Sequence, residues 1–90
     1  MEVKKRIAII TGASGGIGRE FTRLMVRENV DEIWAIARNE TKLVALKKEF
    51  GDRVIAISRD LSDPEAARSI ENMLKEEKPV VTYLINNAGI

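Results

Sequence analysis

Thr11-Gly12-Ala13-Ser14-Gly15-Gly16-Ile17-Gly18 is the stretch on which the reading of this sequence turns. A continuous apolar run, Ile7-Ala8-Ile9-Ile10, comes before it, and an apolar run closed by a turn signal suits a strand buried on both faces. After Gly16 the period changes. Ile17, Phe21, Leu24 and Met25 fall on one helical face, with Arg19, Glu20, Arg23 and Arg27 pointing elsewhere. Strand, glycine loop and helix in that order have a chemical use. The chain must turn sharply, its backbone must approach a phosphate within hydrogen-bond distance, and the helix must pack close to the sheet. Unpaired N–H groups and the positive end of the helix then favour an anion. A glycine cluster alone is weak evidence, since ordinary turns use the same residues; the strand–loop–helix setting is what favours the anion site.

Outward from the loop the rhythm repeats. Asn29-Val30-Asp31 ends the first helix, and Ile33-Trp34-Ala35-Ile36-Ala37 reads as a second buried strand, with Trp34 in the core. Asn39 can cap a second helix whose inward stripe is Leu43, Leu46 and Phe50, and Gly51 stands where a helix C-terminal glycine belongs. Val54-Ile55-Ala56-Ile57 is a third strand. Ser62-Asp63-Pro64-Glu65 combines a serine cap, an early proline and a glutamate three residues after the cap. Ala66, Ala67, Ile70, Met73 and Leu74 then trace an apolar face, Lys78-Pro79 stops the helix, and Val80 through Ile85 form a fourth strand. Strands alternating with amphipathic helices predict an α/β fold with a parallel sheet. Right-handed crossovers give a three-layer arrangement of four strands in the order 3-2-1-4 with three helices, the first two on one face and the third on the other.

Composition narrows the function. Ninety residues, 44% hydrophobic and 32% charged, make at most one domain, and a cramped one for an enzyme with separate cofactor and substrate sites. Fifteen Lys and Arg against fourteen Asp and Glu leave a net charge of +1, an even mixture that argues against nucleic acid or a membrane surface as partner. The basic run Lys4-Lys5-Arg6 reads as a solvated strand entrance. The sequence has no cysteine and no histidine, which excludes disulfides, a thiolate nucleophile, zinc sites and histidine-dependent triads. Its apolar runs are too short for a signal peptide or a membrane span, so a cytoplasmic location is expected.

The spacing in the loop sets aside two relatives. A P-loop needs Lys-Ser/Thr after its last glycine, but Arg19-Glu20 follow Gly18. G-x-G-x-x-G fails as well, because Phe21 stands where its third glycine would be. What remains is T-G-x-x-x-G-x-G. With this loop, Arg38 at the end of the second strand, Asp60-Leu61 after the third and Asn86-Asn87-Ala88-Gly89 after the fourth, the sequence resembles the N-terminal half of the short-chain dehydrogenase/reductase family over nearly all of its length.

That resemblance implies a nicotinamide cofactor and assigns roles. Gly12, Gly16, Ile17 and Gly18 would approach the pyrophosphate through backbone groups, with Ser14 near the adenosine ribose. Asp60 would accept from the adenine amino group, Leu61 would lie beside the ring, and Asn86, Ala88 and Gly89 would line the adenine-ribose side. Read alone, Asp60 is equally a turn or cap residue, and the asparagines a strand-ending turn. Cofactor choice follows from charge. An acidic residue at the end of the second strand binds both ribose hydroxyls of NAD and repels a 2′-phosphate. Here that place is Ala37, and the guanidinium of Arg38 next to it suits a phosphate, which predicts NADP over NAD. Gly15 weighs the other way, because some NADP-preferring members carry a basic residue there. Arg59 beside Asp60 either assists the adenine or is merely solvated, and the solvated reading is favoured.

In the family a tyrosine in Y-x-x-x-K, with a serine and a distal asparagine, handles the proton of the hydride transfer, and all three lie beyond the NNAG strand. Tyr83 is not that residue, because position 87 is Asn rather than Lys. No catalytic or metal-binding residue is therefore expected within 1–90, which reads as the dinucleotide-binding half of a Rossmann-type domain, a truncated fragment that binds but does not turn over. The rival is a self-associating structural half-domain with no cofactor function. Either way an unpaired fourth-strand edge predicts a homo-oligomer joined at Tyr83, Leu84 and Ile85.

Overall fold

Continuous β-branched and alanine runs have no polar face to turn to water, so they become central strands. In a computed structural model, which describes residues 3–87, β1 (Arg6–Thr11), β2 (Glu32–Ala37), β3 (Val54–Ser58) and β4 (Val80–Asn86) form one parallel sheet in the order β3-β2-β1-β4. The connecting helices are α1 (Gly16–Val26), α2 (Glu40–Phe50) and α3 (Pro64–Glu77). This is the strand order that the alternation and right-handed crossovers predict. Among the described residues, no helix is long and apolar enough to cross a membrane.

Strand alternation divides the core in two. Ala8, Ile10, Ile33 and Ala35 pack on one face with Met25 of α1 and with Leu43 and Leu46 of α2. Ile7, Ile9, Trp34, Ile36 and Ile57 pack on the other with Ile70 of α3. Trp34 is wholly buried, and its indole N–H donates to Glu32 Oε1 at 2.9 Å, as a buried indole requires. At the strand entrance Lys5 pairs with Glu32 and Glu77, tying β1 to β2 and to the end of α3.

Two local expectations are corrected. The inward face of α1 is Gly18, Thr22 and Met25, while Ile17 and Leu24 are half exposed. Gly18 seats the helix so closely on the Gly12–Ala13 backbone that its neighbour Ile17 is turned outward. The cap of α3 is Asp63, whose side chain accepts from Glu65 N, with Pro64 in the first turn. Ser62 is drawn away because its hydroxyl donates to Asp60. Asn39 does cap α2, accepting from Lys42 N at 3.0 Å, and Gly51 ends that helix at φ 98°, where a side chain would be strained.

The pairing of β4 with β1 shifts register between Ile7 and Ala8, so Ile7 lies against Val81 and Ala8 against Tyr83. The shift leaves the buried Thr82 hydroxyl without a partner among the described residues. It also turns Tyr83 and Ile85 into the core shared with α1 and α2, and leaves Leu84 67% exposed on the α3 side.

Candidate functional site

The strand order reverses between β1 and β4, and the carboxyl ends of β1, β2 and β3 open beside that point, the place where open α/β sheets bind ligands. The glycine loop opens this end. Gly12 takes φ 64°, which only glycine adopts freely, and Ala13 N donates to Ile36 O at 3.2 Å, fastening the loop across β2. Gly15 is the N-cap of α1 and has no side chain to offer, and the first turn holds no acidic residue. In α2 and α3, by contrast, Asn39 and Asp63 accept from the first-turn N–H groups. The start of α1 thus presents backbone donors and the positive end of its dipole to whatever lies above.

What lies above is an open cleft of about 930 Å³. Gly12, Ser14, Gly15, Gly16 and Ile17 form its floor, Ile36 to Asn39 and Arg59 to Ser62 its far wall, and Asn87 its near side. The glycines differ in purpose. A β-carbon on Gly18 would overlap the loop backbone, whereas one on Gly16 would meet nothing within 4 Å. Packing therefore requires the absence of a side chain at Gly18 only; at Gly16 the empty space belongs to the cleft, and a ligand can use it.

Asp60 stands at the rim with one carboxylate oxygen accepting from Ser62 N at 3.0 Å and Ser62 Oγ at 2.7 Å. Those two bonds, the hydroxyl's first, hold its carboxyl below the ordinary range, helped by the charge of Arg38. Leu61 packs partly against the α3-side core, its other side toward the cleft. Arg38 has no hydrogen-bond or ion-pair partner for its guanidinium among the described residues; Arg19, Arg23 and Arg68 each pair with a glutamate.

Thr11 stitches the end of β4 to the loop. Its hydroxyl donates to Asn86 Oδ1 at 2.9 Å and accepts from Asn87 N at 3.0 Å, while Asn87 Nδ2 donates to Gly12 O at 3.2 Å. Of the residues expected in the site, Gly12, Ser14, Gly16, Ile17, Arg38, Asp60 and Leu61 line the cleft together. Gly18 lies beneath it as a packing residue, and Asn86 anchors β4 without lining it. Ala88 and Gly89 fall outside the described residues.

The cleft is also lined by Gly15, Ile36, Ala37, Asn39, Arg59, Ser62 and Asn87, which were not among the expected site residues. Asn87 carried a signal, since it continues the strand after Asn86. Arg59 shows its place only once the strands are paired. It follows Ser58, which pairs with Ala37, so Arg59 comes level with Arg38. It is exposed, but it is tethered: Nε donates to Ser69 Oγ at 3.2 Å and a terminal nitrogen to Ser58 O at 2.8 Å.

The chain is similar to known proteins over most of its length. The short chain dehydrogenase family profile matches residues 6–90. A probable NADP-dependent dehydrogenase of Dichelobacter nodosus is 36% identical over 93% of this chain and 78% of its own length. An NADPH-dependent 1-acyldihydroxyacetone phosphate reductase of Saccharomyces cerevisiae is 38% identical over 94% of this chain, which spans only 29% of that protein. Among solved structures, the closed form of a serine dehydrogenase complexed with NADP+ superposes with a TM-score of 0.64 at 32% identity, covering 77% of this chain and 26% of that one. From its glycine loop to its last strand, this chain belongs to the short chain dehydrogenase family.

Proposed function

We propose that the chain binds NADP(H) in this cleft and forms the dinucleotide-binding part of a cytoplasmic short-chain oxidoreductase. The observation that carries the cofactor choice is Arg38: a guanidinium unpaired among the described residues at the end of β2, next to Ala37 where a carboxylate would repel a 2′-phosphate. NADP dependence in the Dichelobacter and yeast relatives supports the same choice. The space above Gly16 fits a pyrophosphate, with the backbone of Gly12, Gly16, Ile17 and Gly18 donating to it and Ser14 beside the ribose. The free oxygen of Asp60 takes the adenine amino group, and Leu61 lies along the ring. Asn86, Ala88 and Gly89 border the adenine-ribose side.

Bound there, the nicotinamide cofactor supplies or accepts a hydride. The chain's own residues bind and orient its adenosine end. Tyr83 takes no part, because its hydroxyl donates to Glu28 at 2.6 Å, away from the cleft. Calorimetric titration tests the reading: NADPH should bind more tightly than NADH, and Arg38→Ala should remove the difference. Equal affinities, or an unchanged ratio in the variant, would sink it.

A second reading, a self-associating module, draws on the α3 side of β4, where Val81 is 43% and Leu84 67% exposed. Its occupant would be a second copy meeting along Tyr83, Leu84 and Ile85 at the strand edge. Sedimentation showing a folded monomer at high concentration removes it.

A further inference from the structure

Two arginines at the far wall of the cleft stand side by side. The β2–β3 ladder pairs Ala37 with Ser58 and runs one step further, because Arg59 N donates to Ala37 O at 2.9 Å. Neighbouring strands lie about 4.8 Å apart, so Arg38 and Arg59 leave the sheet at adjacent positions. Both lie two residues beyond isoleucines of the α3-side core, Ile36 and Ile57, and both line the cleft. Like charges placed opposite one another on a sheet repel. Neither guanidinium has a carboxylate in contact among the described residues, and Asp60 is the only acidic residue lining the cleft. Nor is Arg59 left to wander. Ser69 of α3 holds its Nε and the Ser58 carbonyl holds one terminal nitrogen, while the other makes no bond among the described residues. Ser58 Oγ in turn donates to Arg38 O at 3.2 Å, coupling the two backbones.

A tethered cation beside one without a partner among the described residues, with a single carboxylate lining the same cleft, is an arrangement completed by an anion. The geometry points to Arg59 as a second specificity residue, which closes on the ribose 2′-phosphate from the β3 side while Arg38 closes from the β2 side. The inference rests on the NADP reading and adds to it a residue on a different strand. Holding Arg59 in place beforehand reduces the side-chain entropy lost on binding, so Ser69 acts as its positioning residue.

The test uses two probes that differ only in the group concerned, adenosine 2′,5′-bisphosphate and adenosine 5′-monophosphate, titrated calorimetrically into the chain. Wild type should prefer the bisphosphate. Arg59→Gln should weaken the bisphosphate about ten-fold, the scale of one charge-assisted hydrogen bond, and leave the monophosphate within about two-fold. Ser69→Ala, which keeps the charge and removes the tether, should lose about three-fold on the bisphosphate alone. Circular dichroism checks that both variants fold. An equal loss on both probes places Arg59 at the base or the 5′-phosphate and overturns the inference. So does an unchanged bisphosphate affinity while Arg38→Ala still abolishes the preference, a result that leaves the NADP reading intact. A wild type without preference removes both.

Discussion

A β-carbon on Gly18 would lie 2.4 Å from the carbonyl oxygen of Gly12 and 2.6 Å from the α-carbon of Ala13. Both are backbone atoms, so no rotamer change relieves the overlap. Gly18→Ala gains about 1 kcal/mol of helix propensity but forces α1 off the loop. The overpacking should win, with a net loss of about 1–2 kcal/mol in urea unfolding. Gly16→Ala, whose β-carbon meets nothing, should fold at least as well as wild type and yet bind NADPH more weakly. If the two alanine variants unfold at the same urea concentration, the division of the glycines into packing and cleft is wrong.

Arg53 closes the far end of the same helix. Its guanidinium donates to Val30 O at 2.9 Å, to Glu28 O and to Val26 O, collecting the carbonyl of the last α1 residue and two from the loop that follows. Arg53→Met keeps the stem and removes the fork. It should cost about 1–2 kcal/mol, the low end for bonds to a charged group because the site is only half buried. Arg53→Lys should recover little, since an ammonium cannot span several carbonyls in one plane. Equal stability of wild type and the methionine variant would show that water satisfies these carbonyls equally well.

The strands and their order were legible because nothing competes with burial in Ile7–Ile10 or Ile33–Ala37: such runs have one stable use. The α1 stripe was misread for a local reason. Apolar spacing selects Ile17 and Leu24, but a glycine that permits close approach decides which way a helix faces, and Gly18 carries no hydrophobic signal. Ser62 and Asp63 could each cap α3, and only the competing claim of Asp60 on Ser62 chooses between them. Within the cleft, residues belonging to a sequence motif could be read; the place of Arg59 beside Arg38 could not, because it depends on a neighbour on another strand.

Tyr83 gives the fold a dependence on alkaline pH. The hydrogen bond to Glu28, then burial, then the Glu28 charge hold its hydroxyl above its ordinary value. A group whose folded pKa is raised adds stability below its unfolded pKa, near 10, and that contribution is lost as pH rises through the folded value. Tyr83→Phe should therefore be less stable than wild type at neutral pH, with the gap in melting temperature closing above pH 10. Lysines titrate in the same range in both proteins, so only the difference is read. A gap that stays constant from neutral to alkaline pH would falsify the linkage.

Thr11 is the hinge between fold and cleft. It is 7% exposed, and its one hydroxyl both donates to Asn86 Oδ1 and accepts from Asn87 N. Thr11→Val preserves shape and β-branching, so the fold can accommodate it, but it leaves a side-chain acceptor and a backbone donor without their partner. Stability should fall by about 1–3 kcal/mol, and amide exchange at Asn87 should quicken more than exchange in the middle of β1. Because Asn87 also holds Gly12 O, the loosening should spread to the loop and lower NADPH affinity, whereas Thr11→Ser, which retains the hydroxyl, should keep most of it. Unaltered exchange at Asn87 in the valine variant would mean that the ladder with β1, rather than this hydroxyl, fixes the end of β4 against the cleft.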